Sequence, residues 1–499
     1  MASEWESYTI EELASSEKSA LATGPFGSAI SAKFFVDAGF PVIRGSNLST
    51  LTSERMSDEG LVFVSDEKAA EFKRSVVRKG DLIFTCWGTI NQVGLIDSRC
   101  RYPEYIISNK QMKVTLDTSK ADPLFVYYYF SSPAKQREIL QNGIGAAVPG
   151  FNLGQLRSHT LRLPPLSLQK KISSFIDALD SKITLNRQIN QTLEQMAQTL
   201  FKSWFVDFDP VIDNALDAGF FEQDWPIPDE LQHRAEARKT VRESEGFKPL
   251  PDAVRQLFPD AFEESELGWV PKGWEYQSFG SLLASTIGGD WGKDVQDEKH
   301  TVQSRIVRGT DIPDLISGQL SSAPLRWVEP KKLKSRQIER GDIIIEVSGG
   351  SPKQPTGRSI FMTDSMLARL GSIIEPASFC RRFKPSSFNF GLLASLHLQK
   401  IYADGKTWEY QNQSTGIANF QTKFFLEAEM VLIPSEPVLE AFCRIVTPLV
   451  EKSQNNEQIA LAKLRDTLLP KLISGELRLD DVEAAVEQET VSAEQQNER

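Results

Sequence analysis

The stretch "LRLPPLSLQKKISSFIDALDSKI", Leu161–Ile183, joins an alternating apolar run to an amphipathic one through Pro164 and Pro165. Proline lacks an N–H and its ring clashes one turn back, so the pair cannot lie inside a helix and marks where one starts. Beyond it Ile172, Ile176, Leu179, Ile183, Leu193, Leu200 and Trp204 recur at the 4-3 spacing of a coiled-coil seam. Asn186 and Asn190 fall on the same stripe, where a buried Asn costs stability and can fix register. Near the other end "MVLIPSEPVLEAFCRIVTPLVEK", Met430–Lys452, has the same layout. Phe442, Val446, Leu449, Ser453 and Asn456 stand in the matching places.

The two joins are 270 positions apart, and other pieces repeat in the same order. "IRGSNL" from Ile43 answers "VRGTDI" from Val307, and "VRKGDLIF" from Val77 answers "IERGDIII" from Ile338. "GAAVPGF" from Gly145 answers "GIANF" from Gly416. The chain therefore reads as an internal duplication of one globule followed by one long helix. Residues 1–163 and 268–433 form two similar mixed α/β globules, with strands entered from a Gly-Asp turn. Residues 164–206 and 434–479 form two helical regions. Residues 207–267 read as an acidic connector and 480–499 as an acidic disordered tail. The class is α+β, and the two long helices are expected to form an antiparallel coiled coil related by a pseudo-two-fold axis. A helix of about 40 residues spans roughly 60 Å.

With 499 residues, 40% hydrophobic and 25% charged, the composition is that of an ordinary globular protein. No run approaches the length of a membrane span, and the beginning "MASEWESYTIEELASSEK" lacks a signal-peptide layout. A cytoplasmic location is expected. Cys86, Cys100, Cys380 and Cys443 stand apart, as reduced structural thiols would. The net charge of −11 is unevenly spread: residues 207–230 hold eight acids and no Lys or Arg, and residues 480–499 have a net of −6. The rest of the chain is mildly basic, so a nucleic-acid-binding face is compatible with it.

Catalytic motifs are lacking. His159, His233, His300 and His397 are scattered without metal-ligand spacing, and no GxSxG elbow occurs. "GGDWGKD", Gly288–Asp294, has the wrong spacing for a phosphate loop, with Asp294 where Ser or Thr is needed. Asp342 and Glu346 share a strand, faintly like a metal nuclease, but Ser348 replaces the lysine. No Asn-Pro-Pro-Tyr or Asp-Pro-Pro-Tyr run of base methylases occurs. What remains are polar and aromatic loops. In the first globule Arg44, Ser46, Asn47, Trp87, Thr89, Asn91, Asn109, Lys110 and Gln111 carry groups suited to base edges and phosphates. In the second, Trp291, Lys293, Arg308, Thr310, Ser348, Lys353, Gln354 and Arg358 do so. Taken singly, each of these also fits an ordinary solvated loop.

The segment from "GAAVPGF" through "LPPLSLQKKISSFI" to "FKSWFVDFDPV", Gly145–Val211, resembles the central region of the specificity subunits of type I restriction–modification systems. "FPDAFEESELGWVPKGWE", Phe258–Glu275, is similar to that family's lead into its second recognition domain, and "GPFGS" and "KGDLIF" to pieces of its first. The resemblance implies a subunit without a catalytic centre, metal or cofactor of its own. Each target-recognition domain would read one half of a bipartite double-stranded DNA target. The paired helices would set the gap and dock two methyltransferase subunits, and through them restriction subunits. S-adenosylmethionine, ATP and Mg would belong to those partners, as would adenine methylation and ATP-dependent cleavage. The second join departs from the first in lacking Pro-Pro and "QKKI". A coiled-coil adaptor with protein-binding globules is the alternative.

Overall fold

The computed structural model describes residues 5–143, 150–223, 226–319, 321–349, 354–414, 417–482 and 484–485. The chain divides into two compact units, Met1–Leu185 with Ala460–Arg499, and Asn186–Ile459.

Both joins form as the prolines dictate. Strand Thr160–Leu163 alternates exposed and buried residues and pairs antiparallel with Glu6–Thr9. The helix Leu166–Phe205 begins right after Pro164 and Pro165 and runs unbroken for 40 residues. In the second unit Met430–Ile433 pairs antiparallel with Glu275–Ser278, and the helix Glu436–Ser453 follows.

The duplication holds strand for strand in the main sheet. One sheet of the first unit orders Leu21–Thr23, Gln111–Val114, Leu82–Thr85 and Val93–Leu95. Its counterpart orders Leu283–Gly288, Cys380–Pro385, Ile343–Glu346 and Ser359–Phe361. A second sheet in each unit sets one strand antiparallel and another parallel to a central strand, Phe40–Ile43 in the first and Val302–Val307 in the second. The strands supply the buried faces: Leu82–Thr85 and Ile343–Glu346 are buried throughout. A run buried on both faces does not alternate. Helices cover them, with Phe130 packed edge-on to Phe84 at 4.9 Å in the first unit.

In the first unit the long helix and the helix Glu457–Ser474 run antiparallel. Asp180 pairs with Arg465, while Ile172 and Ile176 share a core with Leu469, Leu472 and Ile473. In the second unit the far end of the long helix, Trp204 and Phe205, packs on Phe442 with ring centroids 5.5 and 4.7 Å apart. The buried line along the helix is Ile172, Ile176, Asp180, Ile183, Asn190, Ala197, Phe201 and Trp204. Leu179, Leu193 and Leu200 flank it half-buried. The seam is shifted by one residue at Asp180 because that carboxylate has two buried donors to receive it, Tyr128 and Arg465. On the second helix Phe442 and Val446 are fully buried and Leu449 half-buried, with Val450 deeper.

Three boundaries differ from expectation. The second helical region is two helices, Glu436–Ser453 and Glu457–Ser474, and Asn456 lies exposed at the break. Gln454 is buried there because Thr363 Oγ1 donates to its Oε1 and its Nε2 donates to Phe361 O at 3.0 Å. The acidic connector 207–267 is folded in its described residues, with helices Asp209–Asp217 and Asp229–Arg242. Phe208, Val211, Ile212, Ala215, Phe220 and Leu231 enter the core of the second unit. Two of its acids are paired with its own arginines, Asp213 with Arg238 at 2.7 Å and Asp217 with Arg242 at 2.6 Å. At the other end Leu479 and Val482 are buried in the first unit's core, so the read tail starts too early; residues 486–499 lie outside those described. All four cysteines are free. Among the described residues no helix is long and apolar enough to cross a membrane.

Candidate nucleic-acid interface

The strand ends of each unit gather loops at one place, and backbone hydrogen bonds tie them. In the first unit Ser108 N–H donates to Ile43 O at 3.0 Å, Cys86 N–H to Lys110 O at 2.6 Å, Gly24 N–H to Gln111 O at 2.9 Å, and Phe151 N–H to Cys86 O at 2.8 Å. The second unit repeats this bond for bond. Ala377 N–H donates to Val307 O at 2.8 Å, Val347 N–H to Phe379 O at 2.9 Å, Gly289 N–H to Cys380 O at 3.0 Å, and Phe420 N–H to Val347 O at 2.8 Å. The glycine is obligatory in both. A Cβ on Gly24 would lie 1.9 Å from Ser108 O, and one on Gly289 2.0 Å from Pro376 O.

Within this frame the candidate residues separate into two kinds. Several are spent on the loops themselves. Asn47 is 1% exposed; its Oδ1 accepts from Arg44 N–H, and its Nδ2 donates to Ser57 O and Glu59 O at 3.1 and 2.9 Å. Gln111 is buried, its Oε1 accepting from Ser108 N–H and Oγ. Arg44 is half-buried and donates to Gly60 O at 2.9 Å. Arg308 grips the buried Asp311 through both Nε and Nη2, at 2.9 and 2.8 Å. Arg358 grips Glu346 in the same bidentate way, at 2.8 and 2.6 Å. Such forks hold geometry strongly and leave little capacity for a ligand. Ser348 donates to Asn419, and Asn91 is half-buried.

The others face solvent. Ser46, Trp87, Thr89, Asn109 and Lys110 do so in the first unit. The loops carrying Trp87, Thr89, Asn109 and Lys110 meet through the Cys86–Lys110 bond, and the Asn109 amide donates to Gly27 O at 2.8 Å. Trp291, Lys293, Thr310 and Gln354 face solvent in the second. Arg326 stacks over the Trp291 ring at 4.6 Å, and Lys293 pairs with Asp297 at 2.8 Å. Lys353 lies outside the described residues. Two residues that the loop reading missed are the most exposed aromatics of this surface, Phe26 at 87% and Phe379 at 63%. Phe26 stands two residues after Gly24, as Trp291 does after Gly289. The signal was a Phe between Gly-Pro and Gly-Ser, a turn tip where no core position is available. Exposed rings beside cationic and amide groups suit bases, which present both π faces and polar edges.

Asp342 accepts from Glu339 N–H and Arg382 Nε at 2.7 and 2.8 Å, and Glu346 is held by Arg358, so both carboxylates are occupied. Burial pushes the Cys86 thiol up to about 12, so no thiolate forms at the base of the loops. Among the described residues no three His, Cys, Asp or Glu side chains are grouped to hold a metal ion.

Residues 2–195 match the family model described as the type I restriction modification DNA specificity domain. The chain is 22% identical over 88% of its length to the type I restriction enzyme MjaIX specificity subunit of Methanocaldococcus jannaschii, covering 88% of that protein. It is 25% identical over 81% of its length to the HindI specificity subunit of Haemophilus influenzae, covering 88% of that protein. In fold it is similar to the crystal structure of a type I restriction–modification system S subunit from M. genitalium, with a TM-score of 0.51 at 13% identity, covering 94% of this chain and 96% of that one.

Proposed function

We propose, for a chain that belongs to the family of type I restriction–modification specificity subunits, that it reads a bipartite DNA target without catalysing any step itself. Each globule contacts one half of the target through its tied loops. The observation that carries this reading is the repeated loop frame, bond for bond the same in both units, with different side chains on it. A duplicated frame with varied exposed groups is what two readings of different short sequences require. Ser46, Trp87, Thr89, Asn109, Lys110 and Phe26 carry contact in the first globule, and Trp291, Lys293, Thr310, Gln354 and Phe379 in the second. Lys110 and Lys293 supply phosphate contact, which makes binding salt-dependent.

The helical regions set the gap between the half-sites and dock two methyltransferase subunits, which in turn hold restriction subunits. S-adenosylmethionine, ATP and Mg act in those partners. The site of action is cytoplasmic DNA. Hydroxyl-radical footprinting of the chain assembled with its methyltransferase subunits tests the reading. Two protected tracts separated by an accessible gap are expected. One continuous tract, or protection independent of sequence, would overturn it in favour of a protein-binding adaptor.

A further inference from the structure

The first unit contains a buried chain of charges that the reading loops do not include. Arg55, 5% exposed, stands at its centre. Its Nη1 donates to Asp97 Oδ2 at 2.6 Å, and its Nη2 to Tyr128 Oη at 3.0 Å and to Asp177. Tyr128 Oη donates onward to Asp180 Oδ2 at 2.8 Å, and Arg465 Nη1 donates to Asp180 Oδ1 at 2.7 Å. Asp97 and Tyr128 belong to the globule, Asp177 and Asp180 to the long helix, and Arg465 to the helix beside it. Burial works against the Arg55 charge, but Tyr128 and Asp177 outweigh it and keep the guanidinium protonated.

The same arginine sits on the segment that holds a reading loop. Ser57 N–H donates to Asn47 O at 2.9 Å, and the Asn47 amide returns a bond to Ser57 O at 3.1 Å. Asn47 also fixes Arg44 N–H at the start of the loop that exposes Ser46. A continuous path thus leads from Arg465 through Asp180, Tyr128 and Arg55 to Asn47 and the loop. Apolar packing of the same volume would serve stability as well or better. What charged, directional bonds add is one allowed orientation. In the second unit the helix end is gripped by rings instead, Trp204 and Phe205 on Phe442.

We propose that Arg55 is a positioning residue of the first recognition domain, which fixes the Arg44–Asn47 loop on the helices of its own unit and so makes recognition sensitive to the gap between half-sites. The inference rests on the function proposed above. The test uses the full chain assembled with its methyltransferase subunits, and duplexes carrying both half-sites at the native gap or at one base pair more or less. Methylation rates are compared for the parent, Arg55→Met, and Tyr128→Phe, which removes a single hydroxyl. Both variants are expected to lose about tenfold or more of the discrimination against altered gaps, a change of about 1.4 kcal/mol, while base preference in each half stays that of the parent. Should Arg55→Met not fold, Tyr128→Phe with a parent-like unfolding midpoint decides alone. Unchanged gap discrimination in Tyr128→Phe, or altered base preference in the first half, overturns the positioning role. A parent complex that methylates one uninterrupted sequence overturns the proposed function first, and this role with it.

Discussion

Arg465 Nη1 donates to Asp180 Oδ1 at 2.7 Å, and the two side chains are 9% and 0% exposed. Tyr128 Oη is the second donor to that carboxylate. Asp180 is therefore a buried charge neutralised by the Arg465 guanidinium, with the Tyr128 hydroxyl as a second, neutral donor. Removing one partner strands a buried ion, at a cost of about 3–5 kcal/mol. Arg465→Met is predicted to lower the stability of the first unit by that amount in urea unfolding. The double variant Asp180→Leu, Arg465→Met is predicted to recover most of the loss. A single-variant cost within about 0.5 kcal/mol of zero, the range of ordinary surface changes, would show that the pair is not holding the helices.

Gly24 and Gly289 test the duplicated frame. Neither site has room for a methyl group, with carbonyl oxygens 1.9 and 2.0 Å from an added Cβ. Gly24→Ala is predicted to abolish selectivity for one half-site and leave the other intact. Gly289→Ala is predicted to do the reverse. Competition binding with duplexes mutated in one half at a time measures this. Loss of both half-sites in either variant would contradict two independent reading frames.

Exposed and spent residues of the loops are predicted to behave oppositely. Lys110→Ala should weaken DNA binding almost uniformly across sequences and lower the salt slope by about 1, with stability within about 0.5 kcal/mol of the parent. Asn47→Ala should destabilise the first unit by about 1–3 kcal/mol, because the carbonyls of Ser57 and Glu59 lose their buried donor. Paired salt titrations and thermal melts separate the two effects.

Acid should weaken the second unit through Glu429, just before the second join. Burial favours its neutral form, but His397 at 2.7 Å, Lys406 at 2.7 Å and Tyr410 hold the carboxyl down at about 2. A carboxylate with a depressed value contributes stability that is complete above its ordinary value of about 4.5 and is lost as pH falls toward 2. The contribution is about 3 kcal/mol. Glu429→Gln is predicted to be less stable than the parent at pH 7, with the difference shrinking by pH 3. A pH-independent difference in urea midpoints would rule out this role for the charge.

The joins were legible because their causes are local: a proline stop, an alternating strand and an apolar stripe within some twenty residues. The folded nature of 207–267 was hidden by composition. Its acids outnumber its Lys and Arg, while Phe208, Val211, Ile212 and Phe220 do the packing. The break at Gln454–Asn456 depends on Thr363 and Phe361 O, which are distant in sequence. Within the loops, residue type alone did not separate Asn47, turned inward, from Asn109, which faces solvent. That distinction depends on which carbonyls the fold brings within reach. Asp180 on the seam was equally illegible, since Tyr128 and Arg465 come from far along the chain.

On the proposed function, one chain reads two separate half-sites with two copies of one frame. Mapping methylated adenines by single-molecule sequencing, in a host carrying the chain and its methyltransferase subunits, tests it most directly when repeated after residues 1–163 are replaced by the first globule of a relative. Two short fixed blocks at a constant gap are expected, with only one block altered by the replacement. A single uninterrupted motif, or a motif unchanged by the replacement, would contradict it.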